Sequence, residues 1–272
     1  MRLETGPWRA ELLPERGAHF AALSHAGREL LAPGFGAFWM LPWTNRLDGG
    51  RFPWAGVAHR FPITHPDEGN ALHGLSRAAP WQVEFVSAGR AVLIQTLKQN
   101  PFNYAARLEV ALSEAGFSLD LTLRNAGAAP CPMGFGWHPW FARPPGCTLC
   151  FASAATFLRN MRKLPVRAVS SPGVTGGEAI WLDTDGHYAG WDGVAELRRP
   201  DLTLVLAAAG DWARNLQFFA PADRPVLCLE PVSHVPDVIN RPALAPWGAM
   251  HVLAPGEALR GTVTLSVGEP VF

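Results

Sequence analysis

The sequence predicts an all-β chain, a large sandwich of mostly antiparallel strands with few short helical turns. Three observations carry this. Short apolar or alternating runs recur at hairpin spacing. Many of the 27 glycines and 25 prolines stand beside those runs, where tight turns need them. No amphipathic stretch extends beyond a turn or two of helix, so a βα architecture has nothing to build with.

In chain order, Trp8 to Leu13 and Ala18 to Ser24 flank Pro14-Glu15-Arg16-Gly17, a hairpin signal. Phe35 to Asn70 is rich in Gly, Pro and aromatics and shows little periodicity. It reads as a long irregular segment, which inside a compact domain is usually functional. Trp81 to Ser87 and Ala91 to Lys98 form a second hairpin. Tyr104 to Leu112 and Phe117 to Arg124 alternate apolar and polar residues, the mark of half-buried antiparallel strands. Later candidates are Thr148 to Phe151, Gly193 to Arg198, Leu202 to Ala207, Asn215 to Phe219, Val226 to Glu230, His251 to Leu253 and Leu259 to Val267. With no repeat, linker or charge run, residues 1–272 are expected to form one domain.

Lys+Arg and Asp+Glu balance at 23 each, which gives no electrostatic reason to expect nucleic acid or an anionic membrane as partner. No apolar run reaches spanning length, and no leader-like segment opens the chain; a cytoplasmic location is expected. Four cysteines fit that expectation as reduced thiols. Cys147 and Cys150 have Cys-x-x-Cys spacing, but a second pair at that spacing is missing. Eleven Trp against two Tyr suggest aromatic platforms as well as core filling.

Chemistry is sought first at Pro225 to Asn240. Val226 to Leu229 is an apolar run that ends in Glu230. Burial beside such a run raises a carboxyl pKa toward the range of a general base; the plain alternative is a Glu leaving the strand for solvent. In Gly134-Phe135-Gly136-Trp137-His138-Pro139-Trp140-Phe141, aromatics surround an imidazole whose desolvation suits a proton donor near neutrality. An aromatic-capped turn is the competing reading. His73, between Leu72 and Gly74, sits at a tight bend and is either a ligand-facing group or a core histidine on a carbonyl. Asn45-Arg46 brings a rigid donor fork suited to hydroxyl pairs, phosphate or carboxylate. Trp191-Asp192 places a carboxylate in what is otherwise a common Asp-Gly turn. Metal, nucleotide and nucleophile-elbow motifs are absent: the nine histidines include no His-x-His or His-Glu-x-x-His, and no phosphate loop or Gly-x-Ser-x-Gly occurs. No metal and no cofactor is therefore expected.

These segments, in this order, resemble the aldose 1-epimerase (mutarotase) family: Asn45-Arg46, then Asn70-Ala71-Leu72-His73-Gly74-Leu75, then Gly136-Trp137-His138-Pro139-Trp140-Phe141, then Trp191-Asp192, then Leu229-Glu230-Pro231-Val232-Ser233-His234 through Asn240. The resemblance spans nearly the whole chain. It implies a galactose mutarotase-like β-supersandwich and a cofactor-independent isomerase acting on a small sugar. It further implies that Glu230 takes the proton from the C1 hydroxyl, that His138 protonates the ring oxygen, and that His73 assists near that oxygen. Asn45, Arg46, Asp192, Trp140 and Trp191 would bind the sugar. Galactose-type members have His-Gly-Gly where this chain reads His73-Gly74-Leu75, and a different continuation after the second histidine. The chain thus looks closer to a broader bacterial branch. Two alternatives stay open: a non-catalytic carbohydrate-binding protein on the same fold, or an epimerase of hexose 6-phosphates. The latter needs a basic cluster at the pocket mouth, for which Arg77, Arg143, Arg159, Arg162 and Lys163 are candidates.

Overall fold

The computed structural model describes residues 1–270. Two large antiparallel sheets dominate it. One has nine strands and runs Gln82–Val86, Arg90–Gln99, Phe102–Ser113, Gly116–Asn125, Ala258–Gly268, Thr203–Gly210, Val194–Arg198, Thr148–Ala152, Gly173–Gly177. Eight of its nine strands match runs picked out in the sequence; the glycine-rich edge strand Gly173–Gly177 does not. In Phe102–Ser113 the buried side chains are Phe102, Tyr104, Ala106, Leu108, Val110 and Leu112, every second residue, because one sheet face meets the core and the other meets water.

The other sheet has eleven strands. Its central run is Ala37–Met40, Gly136–Ala142, Val226–Val232, Asn215–Ala220, Thr184–Ala189. One face packs Trp39, Trp137, Leu216, Phe218, Leu227 and Leu229 into the core shared with the nine-stranded sheet. The opposite face is covered too, so Val226–Val232 is buried at every position. Part of that cover comes from the stretch between Phe35 and Asn70, which is less irregular than the sequence suggests. Ala37–Met40 joins the large sheet, Arg46–Asp48 pairs with Asn70–Leu72, and Arg51–Trp54 pairs with Val57–Arg60. Strands of three or four residues are too short for alternation to declare itself, and Ala37–Met40 is buried on both faces.

Register across the central strands fixes what shares the covered face. Gly136 pairs with Val232 and Trp140 with Cys228, which sets His138 opposite Glu230. Phe38 pairs with His138, Gln217 with Glu230, and His187 with Gln217. One row thus reads Phe38, His138, Glu230, Gln217, His187. The next row reads Trp140, Cys228, Phe219, Asp185. Among the described residues no helix is long and apolar enough to cross a membrane. The cysteines are free; Cys131, Cys147 and Cys228 are buried and Cys150 is exposed.

Candidate active site

Phe38, His138, Glu230 and Gln217 of the first row and Trp140, Phe219 and Asp185 of the second floor a cavity of about 600 Å³, within the range of small-ligand sites. Glu230 and His138 are both almost wholly buried, with Glu230 Oε1 3.3 Å from His138 Nε2. Glu230 Oε2 and His138 Nδ1 have no hydrogen-bond partner. Burial, with Asp185's charge adding to it, drives the Glu230 carboxyl well above the ordinary carboxylate range. Burial, then Arg77's charge, pushes His138 down to about 3. Both effects favour the uncharged pair, in which one proton sits between the two groups.

His138 stands in a stack. Its ring lies between Phe38, at 4.4 Å between centroids, and Trp140, at 5.1 Å, both nearly parallel to it. The Arg77 guanidinium caps the Phe38 end, 4.3 Å from that ring's centre. The stack follows from register, since the three rings occupy alternate or paired positions on adjacent strands. His73 meets His138 edge-on at 5.0 Å. Its backbone is left-handed (φ 66°), as is that of Asn45 (φ 52°), and the His73 amide donates to the Asn45 carbonyl at 2.9 Å. Non-glycine residues in this region are strained and gather at functional sites. Burial, then the neighbouring His138, holds His73 well below its usual pKa.

Across the cavity lies a charged cluster. Arg46 donates through Nε to Glu68 Oε2 at 2.7 Å and through Nη2 to Glu68 Oε1 at 3.0 Å and Asp185 Oδ2 at 3.1 Å. Asn45 Oδ1 accepts from Arg46 Nη1 and so aims the fork. Lys163 and Arg159 reach Glu68 and Asp185 respectively, and Gln217 donates to Asp185 Oδ1 at 2.9 Å. Burial works to raise the Glu68 pKa, but the Arg46 fork and Lys163 overcome it and bring it to about 2. The cluster presents fixed donors and acceptors to the cavity at little reorganisation cost.

The structure therefore brings Glu230, His138, His73, Asn45, Arg46 and Trp140 into one cavity. Trp191 and Asp192 do not line it. Trp191 is buried in the core and its indole donates to the Val194 carbonyl at 2.8 Å. Asp192 is exposed and caps its own turn, accepting from the Val194 amide at 3.1 Å. The cavity's aspartate is Asp185, seven residues earlier in an identical Asp-Gly dipeptide, with Glu68 and Gln217 beside it. What sets Asp185 apart from Asp192 is the pairing of Thr184–Ala189 with Asn215–Ala220, a cross-strand register that the sequence alone does not display. Among the described residues one set of potential metal donors occurs, His138, Cys228 and Glu230, with ligand atoms within 4.8 Å of one another. Burial, then Glu230's charge, holds the Cys228 thiol well above its ordinary pKa, which works against thiolate ligation.

Two large antiparallel sheets packed in this way are the fold of galactose mutarotase-like proteins. The chain belongs to the aldose 1-epimerase family, whose description matches residues 13–266. It is similar to the uncharacterized protein YphB of Escherichia coli K12, 25% identical over 247 residues, covering 85% of this chain and 83% of that one. Among solved structures, a galactose mutarotase-like protein from Clostridium acetobutylicum superposes with a TM-score of 0.88 at 16% identity, covering 98% of this chain and 94% of the other. A GalM/aldose epimerase homologue from C. elegans superposes with a TM-score of 0.82 at 12% identity, covering 100% and 99%.

Proposed function

We propose that the protein is an aldose 1-epimerase that interconverts the α and β anomers of a hexose by opening and reclosing the pyranose ring. The observation that carries this reading is the buried 3.3 Å contact between Glu230 and His138, two residues that line the cavity and whose second polar atoms are buried without a partner.

Ring opening removes a proton from the C1 hydroxyl and delivers one to the ring oxygen. The Glu230 carboxylate takes the first while the His138 imidazolium gives the second. The C1–O5 bond breaks, its electron pair leaves on O5, and C1 becomes an aldehyde. Both catalytic groups are then neutral, which is the form that burial favours, so the environment lowers the energy of the opened state. Rotation about C1–C2 presents the other carbonyl face. Closure reverses the roles, with His138 accepting from O5 and Glu230 returning a proton to O1. The neutral pair that burial favours becomes this reactive ion pair when the shared proton crosses the 3.3 Å contact from Glu230 to His138, and ring opening returns both groups to the neutral form. His73, edge-on to His138, supports orientation at the ring oxygen. Arg46, Glu68, Asp185 and Gln217 read the ring hydroxyls, and the Trp140 face meets the sugar's C–H surface.

Polarimetry on freshly dissolved α-glucose and α-galactose tests the assignment. Glu230→Gln and His138→Asn are each expected to lose at least ~10²-fold in turnover with circular dichroism unchanged. Wild-type rates in both variants would refute it. A wild-type protein that binds sugars without accelerating mutarotation would be a carbohydrate-binding protein on this fold.

A further inference from the structure

The cavity's cations divide into two sets. Arg46, Lys163 and Arg159 are neutralised by Glu68 and Asp185. Arg162 bonds to Asp48, Asn70 and two carbonyls, while Arg143 lies away from the cavity on Glu178 and backbone oxygens. Arg224 pairs with Asp223 near the Trp140 end of the stack. Arg16 and Arg77 remain. Both line the cavity, and neither has a carboxylate within ion-pair distance among the described residues. With them stands His19, half-buried in the same wall.

These three groups form a built corner. Arg16 ends the Pro14–Arg16 turn and Arg77 lies in the Ser76–Ala78 turn. The two turns are clamped side by side: the Trp81 amide donates to the Pro14 carbonyl at 2.8 Å, and a Cβ on Gly17 would fall 2.6 Å from the Arg77 carbonyl oxygen. Phe38 fixes Arg77 by its ring face. Burial, then the charges of Arg16 and Arg77, pushes the His19 pKa down, so all three groups feel one another. Unpaired basic groups gathered in a wall are stabilised by an anion, and a guanidinium fork matches the geometry of an oxyanion.

We propose that the sugar carries an anionic group of the phosphate class on C6, received by Arg16, Arg77 and His19. This rests on the epimerase reading for its orientation. His138 addresses O5 and Glu230 addresses O1. C6 hangs from C5, the neighbour of O5 remote from C1, so a C6 substituent extends on the His138 side, away from Glu230. From His138 the stack leads through Phe38 to Arg77. The neutral hydroxyls fall to the Arg46 cluster at the other side.

Exchange NMR on glucose and glucose 6-phosphate tests this. Wild-type kcat/KM is expected to favour glucose 6-phosphate by about tenfold or more, and Arg16→Ala and Arg77→Gln should each reduce that preference by about tenfold. A wild-type ratio near one, or a ratio unmoved in both variants, overturns the proposal and leaves the epimerase reading standing. If neither sugar is accelerated, the epimerase reading fails and the corner is judged by binding alone. His19, followed by NMR titration, should move its pKa upward with glucose 6-phosphate and not with glucose. No movement with the phosphate overturns the anion site.

Discussion

Glu230 and Glu68 line one cavity and hold their protons oppositely. Glu230 is buried with no cation in contact and is driven to its neutral form. Glu68 is only partly buried, accepts the Arg46 fork and Lys163, and stays ionised down to a pKa of about 2. One carboxyl is thereby free for proton transfer and the other is committed to position. Asp185 belongs with Glu68, since it accepts from Arg46 and Gln217 and forms an ion pair with Arg159. Removing its charge leaves two guanidiniums short of an acceptor and loosens Gln217 beside Glu230. Asp185→Asn is therefore expected to lower kcat/KM by about tenfold or more, whereas Asp192→Asn, on its exposed turn, should stay within about twofold of wild type. Steady-state kinetics on both variants check this; the reverse order would return the aspartate role to Asp192.

Between residues and fold lies the question of what single strands reveal. Eight strands of the nine-stranded sheet, half in water, were legible to within a few residues at each end, while the glycine-rich Gly173–Gly177 was not. Under the cavity, Asn215–Ala220 and Val226–Val232 were legible as apolar runs, but Ala37–Met40 and Thr184–Ala189 were not, because burial on both faces erases alternation and neither contains an exposed position. The acid–base candidates could still be found from their local settings and order. The partner Asp185 could not be told from Asp192, because what separates the two Asp-Gly pairs is cross-strand register, which a single sequence does not contain. The His73 bend shows how much rests on one glycine. Gly74 has φ +68°, and the Leu41 carbonyl that accepts from Leu75 and Ser76 would lie 2.0 Å from any Cβ placed there. Gly74→Ala is expected to destabilise by more than ~2 kcal/mol. Gly177, whose φ is −80° and whose absent Cβ would meet nothing within 4 Å, should tolerate Ala within about 1 kcal/mol. Urea unfolding compares the two, and equal midpoints would show that the bend is not rigid.

For the whole molecule, buried histidines set the response to acid. His187 and His234 are held down to about 4 by burial, and His138 to about 3. Groups lowered in the folded state stay neutral while the unfolded chain binds protons below pH ~6.5, so stability falls with pH from there toward 4. His138 is a special case because Glu230 is raised. Between pH ~4.5 and ~6.5 the folded pair keeps one proton on Glu230, and the unfolded pair keeps one on histidine, so the pair contributes no slope. His73, His187 and His234, all lowered by burial, then each add up to about 1.4 kcal/mol per pH unit. Glu230→Gln removes the compensating proton and leaves His138 to titrate alone. The variant's stability should therefore fall more steeply than wild type between pH ~6.5 and ~4.5, by about 1.4 kcal/mol per unit. Urea midpoints across that window measure it. Parallel slopes would mean that His138 keeps its own proton in the folded variant, so that burial does not hold the imidazole neutral.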